Sequence, residues 1–550
     1  MASFDSDLKI WNGLELRYGF SYNTSIGAEL LKKLSESPER VLSICHDEET
    51  SLTCHETKLA SIRIAQNLTK LGYQKGDVIG FMCSNSTYLP AVLYASIMIG
   101  TPVNPLDTGF KKVDIMHMFD ITQPKLVFCD YDVYERVKLS LDEMKSNAKI
   151  ITLRQAIDGV TFVDELLAIT GNEDSFEPTD LGDSREACAV IMCSSGTSGE
   201  IKGVCLSHAN ILSQLTTFDM SFAFISLSFS PIYWTTGLLT TILTALRSRD
   251  TRIMTIQPFS VELFLQLVKK YDINVFKAAP YQLTLLLQHP AFNAKDYERI
   301  LIFFAMGSLV SESLRKEFRH AFPNHPLVIG YGMTEACITI SANGPGDSIE
   351  GLTVGRISHN VKVKVIGKNG QPVDISVTGE IFAKPQFPFL GYYKNEEATR
   401  NAIDEDGYLK TGDIGFVDEE GNIFLIDKKK EVLKYKNYQV CTTEIEEIVQ
   451  EIEGVEQVSV VGIPDPLYTT LPAAVVVKKP EFEDLNEQFI MDYVAEKLPE
   501  YNQLHGGVYF VEEMPMTASG QIQKRFVKVI AIREYKSRMV QEDDDEEYSQ

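Results

Sequence analysis

Up to about residue 300, short apolar runs alternate with amphipathic stretches. This rhythm constrains the fold more than any other feature, because it is that of strand and crossover helix in a parallel α/β sheet. Leu59, Ile62, Ala65, Leu68 and Leu71 recur at helical spacing and stop at Gly72, a natural C-terminal cap. Residues 78–83 follow as a strand, the next helix stops at Gly100, and 125–129 and 149–153 read as further buried strands. The rhythm returns in strands at 273–277, 300–304 and 327–331, with a helix over 311–321 between the last two. Past about Gly351 the texture becomes antiparallel: strands over 361–366 and 379–383 flank the turn Lys368-Asn369-Gly370. Asp418 to Asn422 gives another hairpin turn. Thr443 with Glu446 spells a capping box that opens a helix ending near Ile452.

The expected fold is a large α/β N-terminal domain over residues 1–427, with parallel sheets flanked by helices plus a β-rich subdomain. A small, mobile α+β C-terminal domain is expected over 428–535, with a hinge candidate in the charge run 427–431. The six acids from Glu542 to Glu547 mark 536–550 as an acidic disordered tail. A chain of 550 residues with 44% apolar residues can bury such cores. Its net charge of −24 repels phosphate backbones and argues against nucleic acid as partner. Nine cysteines without a CxxC pair suit reduced thiols and offer no metal-ligand spacing. The first ten residues carry Asp5 and Asp7 and no apolar core, unlike a secretory signal. The longest apolar stretch, 88–103, is broken by Pro90, Gly100 and Pro102 and falls short of the roughly 20 residues a membrane span needs.

Three segments carry chemistry. The first is Cys193-Ser194-Ser195-Gly196-Thr197-Ser198-Gly199-Glu200-Ile201-Lys202-Gly203-Val204, directly after the apolar strand 187–192. Glycines let backbone N–H groups approach anionic oxygens, hydroxyls add donors and Lys202 adds a point charge, so the loop reads as a phosphate cradle without the Walker spacing. The second, Gly330-Tyr331-Gly332-Met333-Thr334-Glu335-Ala336, follows another strand and offers an aromatic face for a base, a hydroxyl for a phosphate and a carboxylate for magnesium. The third, Tyr408-Leu409-Lys410-Thr411-Gly412-Asp413, sets a carboxylate where it can accept both hydroxyls of a ribose.

In this order and spacing the segments resemble the adenylate-forming superfamily: acyl-CoA synthetases, nonribosomal peptide adenylation domains and beetle-type luciferases. The resemblance runs from about residue 20 to 535 and includes Ser207-His208-Ala209-Asn210. The stretch Lys434-Tyr435-Lys436-Asn437-Tyr438-Gln439-Val440 looks closest to the luciferase-like acyl-CoA ligase branch. It implies two steps: a carboxylic acid attacks the α-phosphate of ATP, then the thiol of coenzyme A captures the acyl-adenylate. It also implies site residues. Ser194, Ser195, Gly196, Thr197, Ser198, Gly199 and Lys202 would cradle the phosphates, with Thr197 and Glu335 at Mg2+. Tyr331, beside Gly332, would stack on adenine, Thr334 would bond the α-phosphate, and Asp413 with Lys428 would take the ribose. Lys434 would serve thioester formation. Tyr233, Trp234 and Gly237, with Met306, Gly307 and Ser308, would line the acid site.

The chain departs from the family pattern at three places. Gln521 stands where the family has the lysine that reaches the carboxylate and α-phosphate, and losing one such donor costs on the order of 100- to 1,000-fold. Lys428 replaces an arginine and offers no planar fork. Met306 stands where a glycine is usual. Luciferases carry His-His where this chain has Tyr233-Trp234, which argues against light production. Two functions therefore stand: an acyl-CoA ligase for a medium- or long-chain fatty or aromatic acid, with attenuated adenylation, and a binding protein for nucleotide or acyl-adenylate that has lost catalysis. Relatives often carry a Ser-Lys-Leu peroxisomal address; this chain ends Tyr548-Ser549-Gln550, so the cytoplasm is expected.

Overall fold

The computed structural model describes residues 2–547 apart from 194–200, 216–222, 248–249, 338, 348–350, 429–432, 436–437, 441, 466–467, 499 and 518–520. Among the described residues the strands assemble into three sheets, of fifteen, eight and five strands.

Six parallel strands form the middle of the largest sheet, in the order Leu327–Tyr331, Ile302–Ala305, Val275–Ala278, Ile225–Ser228, Thr251–Met254 and Val41–Cys45. Most of their side chains are buried, on both faces, which is why they read as largely apolar runs. The antiparallel strands beyond Gly351 do not make a sheet of their own. Tyr331 pairs with Ser341, Ser341 with Ile357, and the ladder continues through Asn422–Lys428, Leu409–Val417, Gly379–Pro385 and Val361–Ile366. Tyr331 and Asp413 therefore sit in one sheet.

In the eight-stranded sheet, Cys188–Cys193 runs parallel to Val103–Pro105 and antiparallel to Gly203–Ser207. Cys193 lies opposite Gly203, so the ladder pins both ends of the connection that carries the candidate phosphate loop. The far edge strand, Gly391–Tyr392, pairs with Val204 and Cys205 and brings Tyr392 beside Lys202.

The third sheet belongs to the C-terminal part, where Val455–Asp465 and Thr469–Lys478 form a long hairpin. Helices Thr442–Gln450 and Glu487–Lys497 pack there around a separate core that includes Val449, Val460, Val475, Ile490 and Val494. Two expectations change in this part. The helix begins at Thr442, one residue before the expected cap, and the Glu446 carboxylate accepts from the Val460 N–H at 2.6 Å. The expected tail is not irregular either: helix Lys524–Glu547 carries its backbone through the acid run. Val527 and Ala531 anchor it in the core, and neither glycine nor proline interrupts it. No helix among the described residues is long and apolar enough to cross a membrane.

Candidate active site

The site forms where the parallel strands end at their carboxyl edge, the usual place for ligands in such sheets. Tyr331 closes the strand Leu327–Tyr331, is 9% exposed, and donates its hydroxyl to Asp413 Oδ2 at 2.7 Å. Burial, and after it the Asp413 charge, raise the Tyr331 pKa well above its ordinary value, so the hydroxyl stays a donor. Gly412 turns the chain at φ +74°, a conformation other residues rarely adopt, and presents Asp413 toward Tyr331. The Asp413 N–H bonds Thr411 Oγ1 at 3.1 Å, which steadies the same turn. Lys428 ends its strand directly opposite Asp413 in the ladder.

A short turn, Thr334–Ala336, follows the exposed Gly332. The Thr334 hydroxyl hydrogen-bonds Thr235 at 3.1 Å. Glu335 is 8% exposed and accepts from the Tyr392 hydroxyl at 2.7 Å. The Lys202 ammonium lies 5.2 Å from the centre of the Tyr392 ring, within cation–π range. Lys202, Tyr392 and Glu335 thus form one linked set at the end of the candidate phosphate loop. Ser194, Ser195, Gly196, Thr197, Ser198 and Gly199 lie outside the described residues.

His208 is structural. It is 1% exposed, its Nδ1 accepts the Ile26 N–H at 3.1 Å, and burial pushes its pKa down to about 3. Ser207 accepts the Asn210 N–H at 3.1 Å, and Asn210 donates to the Phe387 carbonyl at 2.6 Å. The motif after the loop therefore ties the end of the strand Gly203–Ser207 to two other parts of the large lobe.

The expected acid-site residues gather around helix Thr235–Leu246. The Trp234 and Tyr233 rings meet edge to face at 6.0 Å, and the Tyr233 hydroxyl bonds Asp107. Burial, then the Asp107 charge, push the Tyr233 pKa up to about 12. Gly237 is required by close approach: a Cβ there would sit 2.0 Å from the Pro231 carbonyl oxygen. Met306 lines a cavity with Thr236, Leu239 and Leu243, and the next two residues in the chain, Gly307 and Ser308, are exposed. Across from them, the Gln521 side-chain amide donates to the Gly307 carbonyl and spans the two parts of the chain. Lys524 is held within the small part, 2.9 Å from Thr442 Oγ1 and 3.0 Å from Glu446 Oε1. The Lys434 backbone pairs with Gln439.

Sequence reasoning missed Tyr392 and Thr235 as partners of the motif residues. Thr235 was legible only as a neighbour of Trp234, and Tyr392 only as an aromatic on a short apolar run. Among the described residues no group of three or more His, Cys, Asp or Glu could hold a metal. The single buried carboxylate of Glu335 still fits Mg2+, which commonly takes one or two protein carboxylates and completes its shell with phosphate oxygens and water.

Residues 31–393 match the AMP-binding enzyme family and residues 444–521 the AMP-binding enzyme C-terminal domain. A probable 4-coumarate–CoA ligase of Dictyostelium discoideum is 28% identical, covering 91% of this chain and 94% of its own. A probable CoA ligase of Humulus lupulus is 30% identical over 84% and 85%. Luciferin 4-monooxygenase of Photuris pensylvanica is 27% identical over 90% and 93%. Among solved structures, ATP-bound MatB from Rhodopseudomonas palustris shares the fold with a TM-score of 0.84 at 22% identity, over 93% of this chain and all of that one. With residues of the motifs linked to one another across two sheets and both parts of the chain matched, the protein belongs to the AMP-binding enzyme family, within the adenylate-forming superfamily.

Proposed function

We propose that the protein is an ATP-dependent acid–thiol ligase that makes acyl-CoA from a medium- or long-chain fatty acid or an aromatic acid, with adenylation slowed by Gln521. The contact of Gln521 with Gly307 carries this reading, because it brings the small part to the rim of the acid cavity, where a family lysine would act. In the first step the acid's carboxylate oxygen bonds the α-phosphorus as the bond to pyrophosphate breaks. In the second the coenzyme A thiol bonds the acyl carbon, its proton is lost, and AMP leaves with the electrons of the carbon–oxygen bond.

The residues divide accordingly. The Tyr331 ring stacks on adenine, and Asp413, steadied by the tyrosine hydroxyl, accepts from the ribose with Lys428 beside it. Thr334, oriented by Thr235, donates to the α-phosphate as its charge grows. Lys202, backed by Tyr392, neutralises the leaving phosphates together with the loop hydroxyls of Ser195 and Thr197, and Lys434 serves the thioester step. Such preorganised groups are commonly the largest catalytic contribution. Glu335, with Thr197, would hold Mg2+, which supplies positive charge to the phosphate oxygens. The eight described cysteines are unpaired, which supports a cytoplasmic location.

One observation favours the rival reading, a nucleotide- or acyl-adenylate-binding protein: Gln521 is neutral, and Lys524 is engaged with Thr442 and Glu446. The deciding experiment is acyl-CoA formation with ATP, magnesium, coenzyme A and a panel of fatty and aromatic acids, read by mass spectrometry against Lys202→Ala. Product above that control is expected. No product from a folded protein that binds ATP would leave the binding-protein reading.

A further inference from the structure

The cavity beside Met306 follows one face of a helix. Thr236, Leu239, Thr240, Leu243 and Arg247 recur at helical spacing, so at 1.5 Å per residue the lined face is about 16 Å long. Its near end is the reaction end, since Thr236 adjoins the Thr235 that bonds Thr334, and Met306 adjoins the Gly307 that meets Gln521. Its far end carries Arg247. The walls between are apolar, with Phe224, Phe304 and the leucines.

Into this apolar cavity projects a second cation. Lys277 lies in the strand Val275–Ala278 between Ser228 and Phe304. Val275 and Phe304 belong to a small apolar cluster, so Lys277 interrupts an otherwise greasy surface. Its ammonium makes no hydrogen bond or ion pair among the described residues. Asp250, the carboxylate that acts on it, is 3.7 Å from Arg247. One carboxylate thus faces three cations, Arg247, Lys277 and Arg40. The wall also holds Gln214, 8% exposed, whose side-chain oxygen has no partner among the described residues. Lys277 is half-buried, and a cation lining an apolar cavity is costly without a counter-charge. Burial, and then Arg247, push the Lys277 pKa down to about 7, and a bound anion would restore its charge.

We infer that the acid accepted by this site carries a second anionic group, a distal carboxylate, which Lys277 receives inside the cavity while the first carboxylate reacts at the rim. The inference rests on the ligase reading for the reacting end alone; recognition of the distal end is independent of turnover. A cavity built to bond a polar group rejects the analogue that lacks it, because its own polar atoms are then left unpaired.

The test compares octanoate with suberate and benzoate with terephthalate, by calorimetric binding to the full chain and by acyl-CoA formation in parallel. The diacids should bind about 10- to 100-fold tighter than the monoacids. Lys277→Met should abolish that ratio and Lys277→Arg should keep it; if Lys277→Met fails to fold, Lys277→Gln takes its place. A diacid preference in binding that Lys277→Met removes, without any acyl-CoA formed, would uphold this inference and sink the ligase reading. Equal binding of monoacids and diacids by the wild type, no measurable acid binding, or a preference untouched in Lys277→Met would each overturn the inference.

Discussion

The large part of the chain presents its site residues already bonded to one another, Tyr331 to Asp413, Thr334 to Thr235 and Glu335 to Tyr392. Among the described residues, the small part reaches the same place through a neutral amide, that of Gln521. The first arrangement holds donors and acceptors in place before any ligand arrives. The second depends on how the two parts dock and brings no charge to the α-phosphate. On the proposed function, the difference makes nucleotide binding and chemistry separable: the first should be robust, the second slow.

The contrast can be broken most sharply at Asp413. Asp413→Ala removes the proposed ribose acceptor and leaves the buried Tyr331 hydroxyl without its bond, so ATP affinity should fall by about 3 kcal/mol, on the order of 100-fold, in calorimetry. Unchanged affinity would show that the paired residues do not build the nucleotide site.

Acid should act next, and on the large part first. His208 is neutral in the fold with a pKa of about 3, against roughly 6.5 when unfolded, so its contribution is fully present above about pH 6.5 and is lost as pH falls toward 3. The expected loss is about 2 kcal/mol at pH 5, measured by denaturant unfolding, and His208→Gln should remove it. A pH profile identical in wild type and variant would contradict the buried neutral histidine. The smallest effect is expected at Thr235→Val, which unties Thr334. Adenylation in a single turnover should slow about fivefold, roughly 1 kcal/mol, with ATP affinity nearly unchanged. A drop in affinity instead would place Thr334 in binding rather than in the chemical step.

What was legible in the sequence follows burial. The strands Leu327–Tyr331 and Val361–Ile366 match their expected bounds, and Val275–Ala278 and Ile302–Ala305 differ by one or two residues at their ends, because continuous or alternating apolar runs report strands directly. The joining of the antiparallel strands to the parallel sheet was not legible, since it rests on the pairing of Tyr331 with Ser341 after a chain reversal. The candidate residues Tyr331, Thr334, Glu335 and Asp413 were singled out by their motifs, and the structure bonds each to a partner. Their partners were not: Tyr392 and Thr235 lie 57 and 99 residues from the groups they bond, and nothing local marks them. Lys277 only closes the expected strand 273–277 in the sequence, and the packing alone shows that its side of the sheet faces a cavity.

The most direct test of a competent nucleotide site weakened at one donor is single-turnover pyrophosphate release by the wild type and Gln521→Lys, with ATP affinity measured on both. The account predicts that the lysine raises the adenylation rate by about 100- to 1,000-fold while ATP affinity stays within about threefold. An unchanged rate, or a gain that lies in ATP affinity alone, would contradict it.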